Sequence, residues 1–401
     1  MKNISYFADF GSSAKTRTGG GQTFARTLFK ILDKLPANLT VFAAFQPELD
    51  KEFPISSPSV KKINLPANGT LGMPGVGILW SLKLRRLLKK MPRQDLYIFD
   101  QPATLFSFFP KAPALVMFHG TDFVKIKISS FLHPRSFIRA LFWQKFILNR
   151  IQKKFLKRKI GIPLFNSHYT LNILSKDFNL PAKSLEKYVT YLPVEIDKYR
   201  KNKEIGMNIR KKLNIPQDAV CVAYISNFAP KKRLDRMPPI ISKIINGPFA
   251  KNIHFLFVGR SIAISPLDEM FKNSFFKKKC TWIGEVTPEE IHNYYSAADI
   301  AISTSESETF GYFIVEGMSA SLPFVAYAEG AVPELIEHNK TGFLVNSEDE
   351  FVDALLRLIK DKDLRDQFGK NSFLKAKNNF SKEAFKNKFL NILRDDLKIF
   401  F

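Results

Sequence analysis

Short apolar runs alternate with amphipathic segments along the chain, and this alternation predicts strands separated by helices. The run Ile4–Phe10 precedes Phe24, Leu28, Ile31 and Leu35, which recur at helical spacing and predict a helix from near Gln22. Further strands are predicted at Leu39–Phe45, Leu96–Phe99, Ala114–Phe118, Ile162–Phe165, Val220–Ile225, Ile253–Val258, Thr281–Gly284 and Ala298–Ser303. Strands alternating with helices favour doubly wound α/β domains with parallel sheets.

A glycine run lies between the first predicted strand and the first predicted helix. Residues without a Cβ atom let backbone N–H groups come close to an anion, so Gly19, Gly20 and Gly21 predict a phosphate-approach loop, with Lys15 and Arg17 assisting by charge. A plain flexible loop is the alternative, because neither a G-x-G-x-x-G nor a P-loop pattern is present.

The most informative stretch follows the predicted strand Ala298–Ser303. A polar loop leads to a turn at Gly311 and a short helix, so the start of that helix should lie at the carboxyl end of the strand, where open α/β sheets bind ligands and helix ends hold phosphate. Glu308 and Glu316 bracket this anion site and could each accept hydrogen bonds from ligand hydroxyls. A nucleotide sugar, with hydroxyls at both ends and a diphosphate between, fits this arrangement. The backbone N–H groups expected to face the ligand are those of Thr309, Phe310 and Gly311.

The same stretch resembles a known family. Glu308 and Glu316 with seven residues between them, followed by Pro323-Phe324-Val325, Pro333-Glu334 and Thr341–Val345, look like the donor-site signature of glycosyltransferase family 4. The resemblance implies the GT-B fold: two Rossmann-like doubly wound parallel-sheet domains facing a central cleft, with a C-terminal helix crossing back to the first domain. It also implies retaining transfer of a hexose-type sugar from a nucleotide-diphosphate sugar to an acceptor hydroxyl.

The family pattern assigns roles to further residues. His119, at the end of the strand Ala114–Phe118, is expected to contact the donor sugar and, with Glu308, to form the catalytic pair. Lys232 matches a lysine that neutralises the donor diphosphate, whereas Asn227 stands where an arginine is usual, so Lys231 or Arg233 is a candidate replacement. Glu316 is expected to hold the ribose. The remaining donor-binding candidates are Gly20, Gly21, Thr309, Phe310 and Gly311.

Length and composition indicate two domains. The 401 residues, 45% of them apolar, suffice for two ordinary cores. The chain becomes polar and charged after Tyr191–Tyr199, which predicts a domain boundary there. The resemblance implies an acceptor-binding domain over 1–195 and a nucleotide-sugar-binding domain over 196–401, with the last helix, about 381–401, packing on the first. Ser321 stands where the family usually has glycine, and a left-handed backbone there would cost roughly 1 kcal/mol relative to glycine.

Positive charge is concentrated in the first half. Residues 1–195 carry 30 Lys and Arg against 11 Asp and Glu, a net +19, and the remainder carries a net +5. A long helix predicted over 135–159 places cations and aromatic residues on one face, which suits an anionic membrane surface; a solvated charged face is the alternative. That face consists of Arg139, Trp143, Phe146, Arg150, Lys153 and Lys157.

Other partners and cofactors are not expected. The motif Asp361-Lys362-Asp363 lies in a charged helical connection rather than at a strand end, so we expect no metal, and no nucleic-acid motif accompanies the basic residues. The expected partners are a UDP- or GDP-linked sugar and a saccharide or lipid-linked acceptor in lipopolysaccharide, capsule or other cell-surface glycan assembly. The expected location is cytoplasmic, at the inner membrane face. Two alternatives are a GT-B sugar-nucleotide epimerase and a non-catalytic basic protein binding membrane or polyanion.

Overall fold

The computed structural model describes residues 1–8, 20–43, 59–64, 78–102, 105, 109–110, 112–120, 149–157, 161–247, 252–260, 270–272 and 274–401. These residues form two compact units, 1–192 with 386–401, and 193–385. Predictions that concern Lys15, Arg17, Arg139, Trp143 and Phe146 lie outside the described residues.

Each unit contains one six-stranded, all-parallel sheet. The first has the order β3-β2-β1-β4-β5-β6 and the second β12-β11-β10-β7-β8-β9. The strands are β1 Lys2–Phe7, β2 Ala37–Ala43, β3 Val60–Asn64, β4 Leu96–Phe99, β5 Ala114–Phe118, β6 Gly161–Phe165, β7 Val220–Ile225, β8 Ile253–Val258, β9 Cys280–Ile283, β10 Ile300–Ser303, β11 Phe324–Tyr327 and β12 Gly342–Val345.

Helices connect successive parallel strands, as parallel pairing requires. In the first unit they span Gly20–Leu32, Ile78–Lys90, Asn149–Leu156, His168–Phe178 and Ala182–Leu185. In the second they span Lys203–Lys212, Met237–Ile245, Ser274–Lys277, Ile291–Ala297, Tyr312–Ser319, Val332–Leu335, Glu348–Lys360 and Lys362–Phe380, and a last helix spans Lys382–Leu397. No helix in these ranges is both long and apolar enough to cross a bilayer.

The prediction of two doubly wound parallel-sheet domains is confirmed. Both sheets reverse their strand order at one point, between β1 and β4 in the first and between β7 and β10 in the second. Ligands of such sheets bind outside the carboxyl ends of the strands at this reversal. The loops after β7 and β10 are those that carry Lys232 and Glu308.

Aromatic residues fill much of the first core. The ring of Phe7 stacks on Phe42 at 4.5 Å and on Phe99 at 4.8 Å between centroids, which joins three neighbouring strands. The second core is mainly aliphatic and includes Ile240, Ile241 and Leu355, all fully buried. These parallel strands are buried on both faces, which explains why they appear in the sequence as continuous apolar runs rather than alternating ones.

Ser321 has a left-handed backbone, as the comparison with the family's usual glycine predicts. Its φ is 58° immediately after the helix Tyr312–Ser319, and its side chain is exposed. We expect Ser321→Gly to raise the free energy of unfolding by roughly 1 kcal/mol, because glycine adopts this conformation without steric cost. Urea denaturation measures the change. Ser321→Ala serves as the control and should give no gain; a gain as large as that of the glycine variant would contradict this explanation.

Candidate active site

Three loops meet at the carboxyl edge of the second sheet. The loop after β10 is bonded to the loop after β7, since the Glu306 N–H donates to the Lys231 carbonyl at 3.0 Å. It is also bonded to the loop after β11, since the Ala331 N–H donates to the Glu308 carbonyl at 2.8 Å. Arg236, which follows β7, contacts the loop after β11: it donates to Glu329 at 3.0 Å, and its guanidinium lies 4.1 Å from the Tyr327 ring centroid. These contacts fix the positions of the three loops relative to one another.

A buried ion pair joins two of these loops. The Lys232 ammonium donates to the Glu308 carboxylate, and each residue is only 6% exposed. The ammonium also lies 4.2 Å from the Phe313 ring centroid. The backbone of Lys232 is fixed as well, because its carbonyl accepts hydrogen bonds from the Tyr224 hydroxyl at 2.9 Å and the Thr304 hydroxyl at 2.8 Å. The site thus holds a cation and a carboxylate in one preorganised arrangement.

The charge state of Glu308 is set by two opposing effects. Burial raises the pKa of the carboxyl group, but attraction to Lys232 and Lys231, together with hydrogen bonds from Lys232 and Ser305, outweighs burial and lowers the pKa below its usual range. Glu308 is therefore an anion at neutral pH and can accept hydrogen bonds from ligand hydroxyls.

Glu316 is held by two tyrosines that the sequence did not reveal. Its Oε1 accepts from the Tyr199 hydroxyl at 2.9 Å, and its Oε2 lies 3.2 Å from the Tyr295 hydroxyl, whose single proton it shares with the Phe313 carbonyl at 2.9 Å. The two tyrosine rings meet edge to face at 5.9 Å. Burial raises the pKa of Glu316, an effect that the two tyrosine hydrogen bonds and Lys198 only partly offset. Each carboxylate oxygen keeps further acceptor capacity for a ligand.

Gly311 precedes the helix Tyr312–Ser319 with a φ of 96°, a conformation that favours glycine. Its N–H donates no hydrogen bond to any residue in the described part of the chain, so it is available at this helix start. Phe310, one residue earlier, is 2% exposed and packs edge to face against Phe380 at 6.0 Å. The predicted turn and helix start are therefore present between the two glutamates.

The site has fewer cations than the family pattern. Asn227 is exposed just after β7, and Arg233, one of two candidate replacements, is engaged with Asp235 and with Glu306 at 2.9 Å. Sequence reasoning missed Arg260, which follows β8 and is exposed. Its carbonyl accepts from the Phe228 N–H at 3.0 Å, so its loop adjoins that of Asn227. Within the described ranges its guanidinium has no acidic partner.

In the first unit, His119 lies at the carboxyl end of β5 beside the helix Gly20–Leu32. Its carbonyl accepts from the Asn166 amide at 2.7 Å, and its ring meets the ring of Phe24 edge to face at 4.9 Å. Phe24 lies one turn after Gly20 and Gly21, so the first unit's candidates share one edge of the sheet. The structure describes no donor contact for any of the three, and their roles stay predictions.

His119 should be neutral at physiological pH. Burial of its ring lowers the pKa to about 4, although the neighbouring Asp100 backbone opposes this shift. We expect NMR titration of the folded protein to place the midpoint of His119 near this value. Because the unfolded chain binds the proton more tightly, this residue's contribution to stability is complete above about pH 6.5 and is lost as the pH falls toward 4. A midpoint near 6.5 would contradict the burial argument. The His119 signal is assigned as the one that disappears in the variant His119→Asn.

The described part of the basic segment has an exposed cationic face and a buried apolar one. Within the helix Asn149–Leu156, Phe155 is buried in the first core while Arg150 and Lys153 are exposed, as is Lys157 just beyond it. The Asp361-Lys362-Asp363 motif has a structural role, since the Asp361 carboxylate accepts from the Leu364 N–H at 2.9 Å and caps the helix Lys362–Phe380. No group of three metal-ligating side chains is found among the described residues.

Comparison with known proteins identifies the second unit. Residues 207–375 match the family model described as "Glycosyl transferases group 1". The chain is 25% identical over 194 residues to an N-acetyl-alpha-D-glucosaminyl L-malate synthase of Bacillus anthracis, covering 47% of this chain and 50% of that protein. It is 27% identical over 224 residues to a GDP-mannose-dependent phosphatidylinositol monomannoside mannosyltransferase of Mycobacterium tuberculosis, covering 51% and 55%. The matches thus span about half the length of these relatives.

Structural comparison covers nearly the whole chain. A sucrose-phosphate synthase from Thermosynechococcus elongatus superimposes with a TM-score of 0.75 over 98% of both chains at 17% identity, which shows a shared fold. The structural neighbours are GT-B glycosyltransferases, so the predicted GT-B fold is confirmed. The predicted resemblance to glycosyltransferases is supported by the family-model match over residues 207–375.

Proposed function

We propose that this chain, whose residues 207–375 match the model of glycosyl transferases group 1, transfers a hexose-type sugar from a nucleotide-diphosphate sugar to an acceptor hydroxyl with retention of anomeric configuration. The observation that carries the proposal is the buried Lys232–Glu308 pair at the strand-order reversal of the second sheet. It presents a cation for a diphosphate and a carboxylate for sugar hydroxyls at the position where doubly wound sheets bind ligands.

The proposed reaction breaks the bond between the anomeric carbon and the donor phosphate oxygen. Negative charge develops on the departing diphosphate, and Lys232 and the Gly311 N–H at the helix start stabilise it. The acceptor oxygen bonds to the anomeric carbon, and its proton passes to an oxygen of the leaving phosphate, so no protein nucleophile is needed. Glu308 orients the sugar hydroxyls, Glu316 holds the ribose and His119 contacts the donor sugar as a neutral hydrogen-bonding group.

Two further groups tune donor binding in this proposal. Tyr199 and Tyr295 position Glu316 by occupying one lone pair of each carboxylate oxygen. Arg260 supplies the positive charge that Asn227 does not, because their loops are joined by a backbone hydrogen bond. Gly20 and Gly21 begin the first helix of the first unit and are proposed to approach the donor through their backbone.

Thermal unfolding with UDP-, GDP- and ADP-sugars tests the donor class. A specific donor at 100 times its dissociation constant should stabilise the protein by about 2.7 kcal/mol.

Glu308→Gln should abolish transfer while leaving the unfolding transition cooperative. Release of the nucleotide only when an acceptor is present favours transfer over epimerisation, and NMR of the product's anomeric proton reports retention. Stabilisation by none of the nucleotide sugars would contradict the proposal.

The acceptor is proposed to be a lipid-linked or saccharide hydroxyl in cell-surface glycan assembly at the cytoplasmic membrane face. The net charge of +19 in residues 1–195 and the exposed Arg150, Lys153 and Lys157 support an anionic surface as partner. One matched relative is named for its action on a phosphatidylinositol mannoside. Flotation with anionic and with neutral liposomes tests the association; equal recovery with both would contradict it.

A further inference from the structure

The first unit contains a cavity of about 850 Å³ at the amino ends of its central strands. Its wall includes Lys2 at the start of β1, Asp95 just before β4 and Pro113 just before β5. His119 follows the opposite, carboxyl end of β5, so the cavity lies at the other edge of the sheet from the predicted donor-binding residues. Its volume is within the range of roughly 300–1,000 Å³ that is typical of small-molecule sites.

Positive charge dominates the wall of this cavity. Among the wall residues that the structure describes, there are five Lys and Arg side chains and one carboxylate, that of Asp95. Asp95 is already engaged, since it accepts from the Asn3 N–H at 2.8 Å and lies 4.0 Å from the Lys2 ammonium. Arg85 and Lys89 lie four residues apart on the helix Ile78–Lys90, are exposed, and form no ion pair with any acid that the structure describes. The cavity therefore favours an anion.

The other part of the wall is apolar. Leu88, Met91 and Phe109 are partly buried side chains that pack against the first core and also line the cavity. The apolar surface continues beyond the wall: of the five exposed large hydrophobic residues in the described part of the chain, Met1 adjoins Lys2, and Phe400 and Phe401 follow Ile399. Exposed apolar side chains beside a cationic site are typical of surfaces that contact lipid.

We propose that this cavity binds an anionic phospholipid. Arg85, Lys89 and Arg93 bind the phosphate, and the first part of an acyl chain lies against Leu88, Met91 and Phe109. A free phosphate would leave the apolar wall exposed to water, and a zwitterionic lipid would leave the cations without a net counter-charge. The proposal goes beyond glycosyl transfer, because the cavity lies at the opposite edge of the first sheet from His119 and would retain the lipid whether or not the chain is turning over.

Calorimetric titration with a short-chain, water-soluble phosphatidic acid tests this proposal. The wild-type protein should bind dioctanoyl phosphatidic acid, and neither dioctanoyl phosphatidylcholine nor inorganic phosphate should compete at the same concentration. The double variant Arg85→Gln, Lys89→Gln should bind about thirtyfold more weakly, since each basic group contributes to the attraction of an anionic lipid.

The matched control is Arg86→Gln, Lys90→Gln. These exposed residues lie on the same helix with the same spacing but do not line the cavity, so affinity should change by no more than about twofold. Thermal unfolding of both double variants verifies that each is folded. Equal weakening by the two variants would mean general surface attraction, competition by inorganic phosphate would mean a free-anion site, and equal binding of phosphatidylcholine would mean an apolar site. Each of these results, or no binding at all, overturns the proposal.

Discussion

Lys232→Met is expected to slow sugar transfer severely and to destabilise the protein strongly. The substitution leaves the Glu308 carboxylate, which is 6% exposed, without its cation. Removing one partner of a buried ion pair typically costs about 3–5 kcal/mol. Loss of a charge that stabilises the departing phosphate should lower turnover by about 10²- to 10³-fold. Urea denaturation and a transfer assay with the donor identified by thermal unfolding measure the two effects.

The pH dependence of this variant should have the opposite sign to that of the wild type. In the wild type the pKa of Glu308 is lowered, so its contribution to stability is present at neutral pH and is lost as the pH falls through that pKa. In Lys232→Met burial acts without an opposing cation and raises the pKa. The folded variant then binds the proton more tightly than the unfolded chain, and its stability falls as the pH rises above about 4.3.

A double variant separates charge from packing. Lys232→Met with Glu308→Gln removes both charges, so much of the lost stability should return while transfer does not recover. If the single variant is as stable as the wild type at pH 7, the carboxylate is not buried as described. If the double variant regains activity, the pair does not act on the donor.

Gly330→Ala is the second change with a large expected effect, and it tests the loop that supports Glu308. Gly330 has a φ of 63°, and a Cβ there would lie 2.5 Å from the Glu308 carbonyl oxygen and 2.8 Å from its nitrogen. Because these contacts are to backbone, the Glu308 loop must move. We expect a loss of about 2–4 kcal/mol from the left-handed backbone and the clash together. Donor affinity should fall with it, since Glu308 is displaced.

Gly284→Ala is the matched control in the same unit. A Cβ at Gly284 meets nothing within 4 Å, and no positive φ applies there. Stability and donor affinity should therefore change little in the control. A Gly330→Ala variant with unchanged donor affinity would show that the loop after β11 does not position Glu308.

Much of the fold could be predicted because most of the described strands are locally distinct. The runs at Ala114–Phe118 and Val220–Ile225 match β5 and β7, since strands buried on both faces need uninterrupted apolar residues. The strands Phe324–Tyr327 and Gly342–Val345 were not predicted as strands, and the strand Val60–Asn64 was also missed. Val60–Asn64 includes two lysines and lies at the edge of the first sheet, where the structure describes one neighbouring strand, β2. Because an edge strand is less buried, its sequence shows a weaker apolar pattern.

The site could be predicted only in part. Glu308, Gly311 and Glu316 are close in sequence, so their relation to one strand and one helix follows from local pattern. Tyr199 and Tyr295 reach Glu316 from separate segments, 117 and 21 residues away, and nothing in their local sequence indicates that contact. For Gly330, the sequence indicates only that a glycine follows an apolar segment. The contact between Gly330 and the Glu308 backbone depends on how two loops pack, which the sequence does not reveal.

The last helix, Lys382–Leu397, begins in one compact unit and ends in the other. Phe389 and Leu393, both fully buried, belong with the unit formed mainly by the first 192 residues. Cutting the polypeptide once between the two sheets would therefore produce an amino-terminal fragment lacking part of its own interior. Independent expression of that half requires the final sixteen residues to be joined to it. Cleavage by a protease near residue 385 would likewise separate residues 386–401 from the rest of the chain and destabilise the unit that contains residues 1–192.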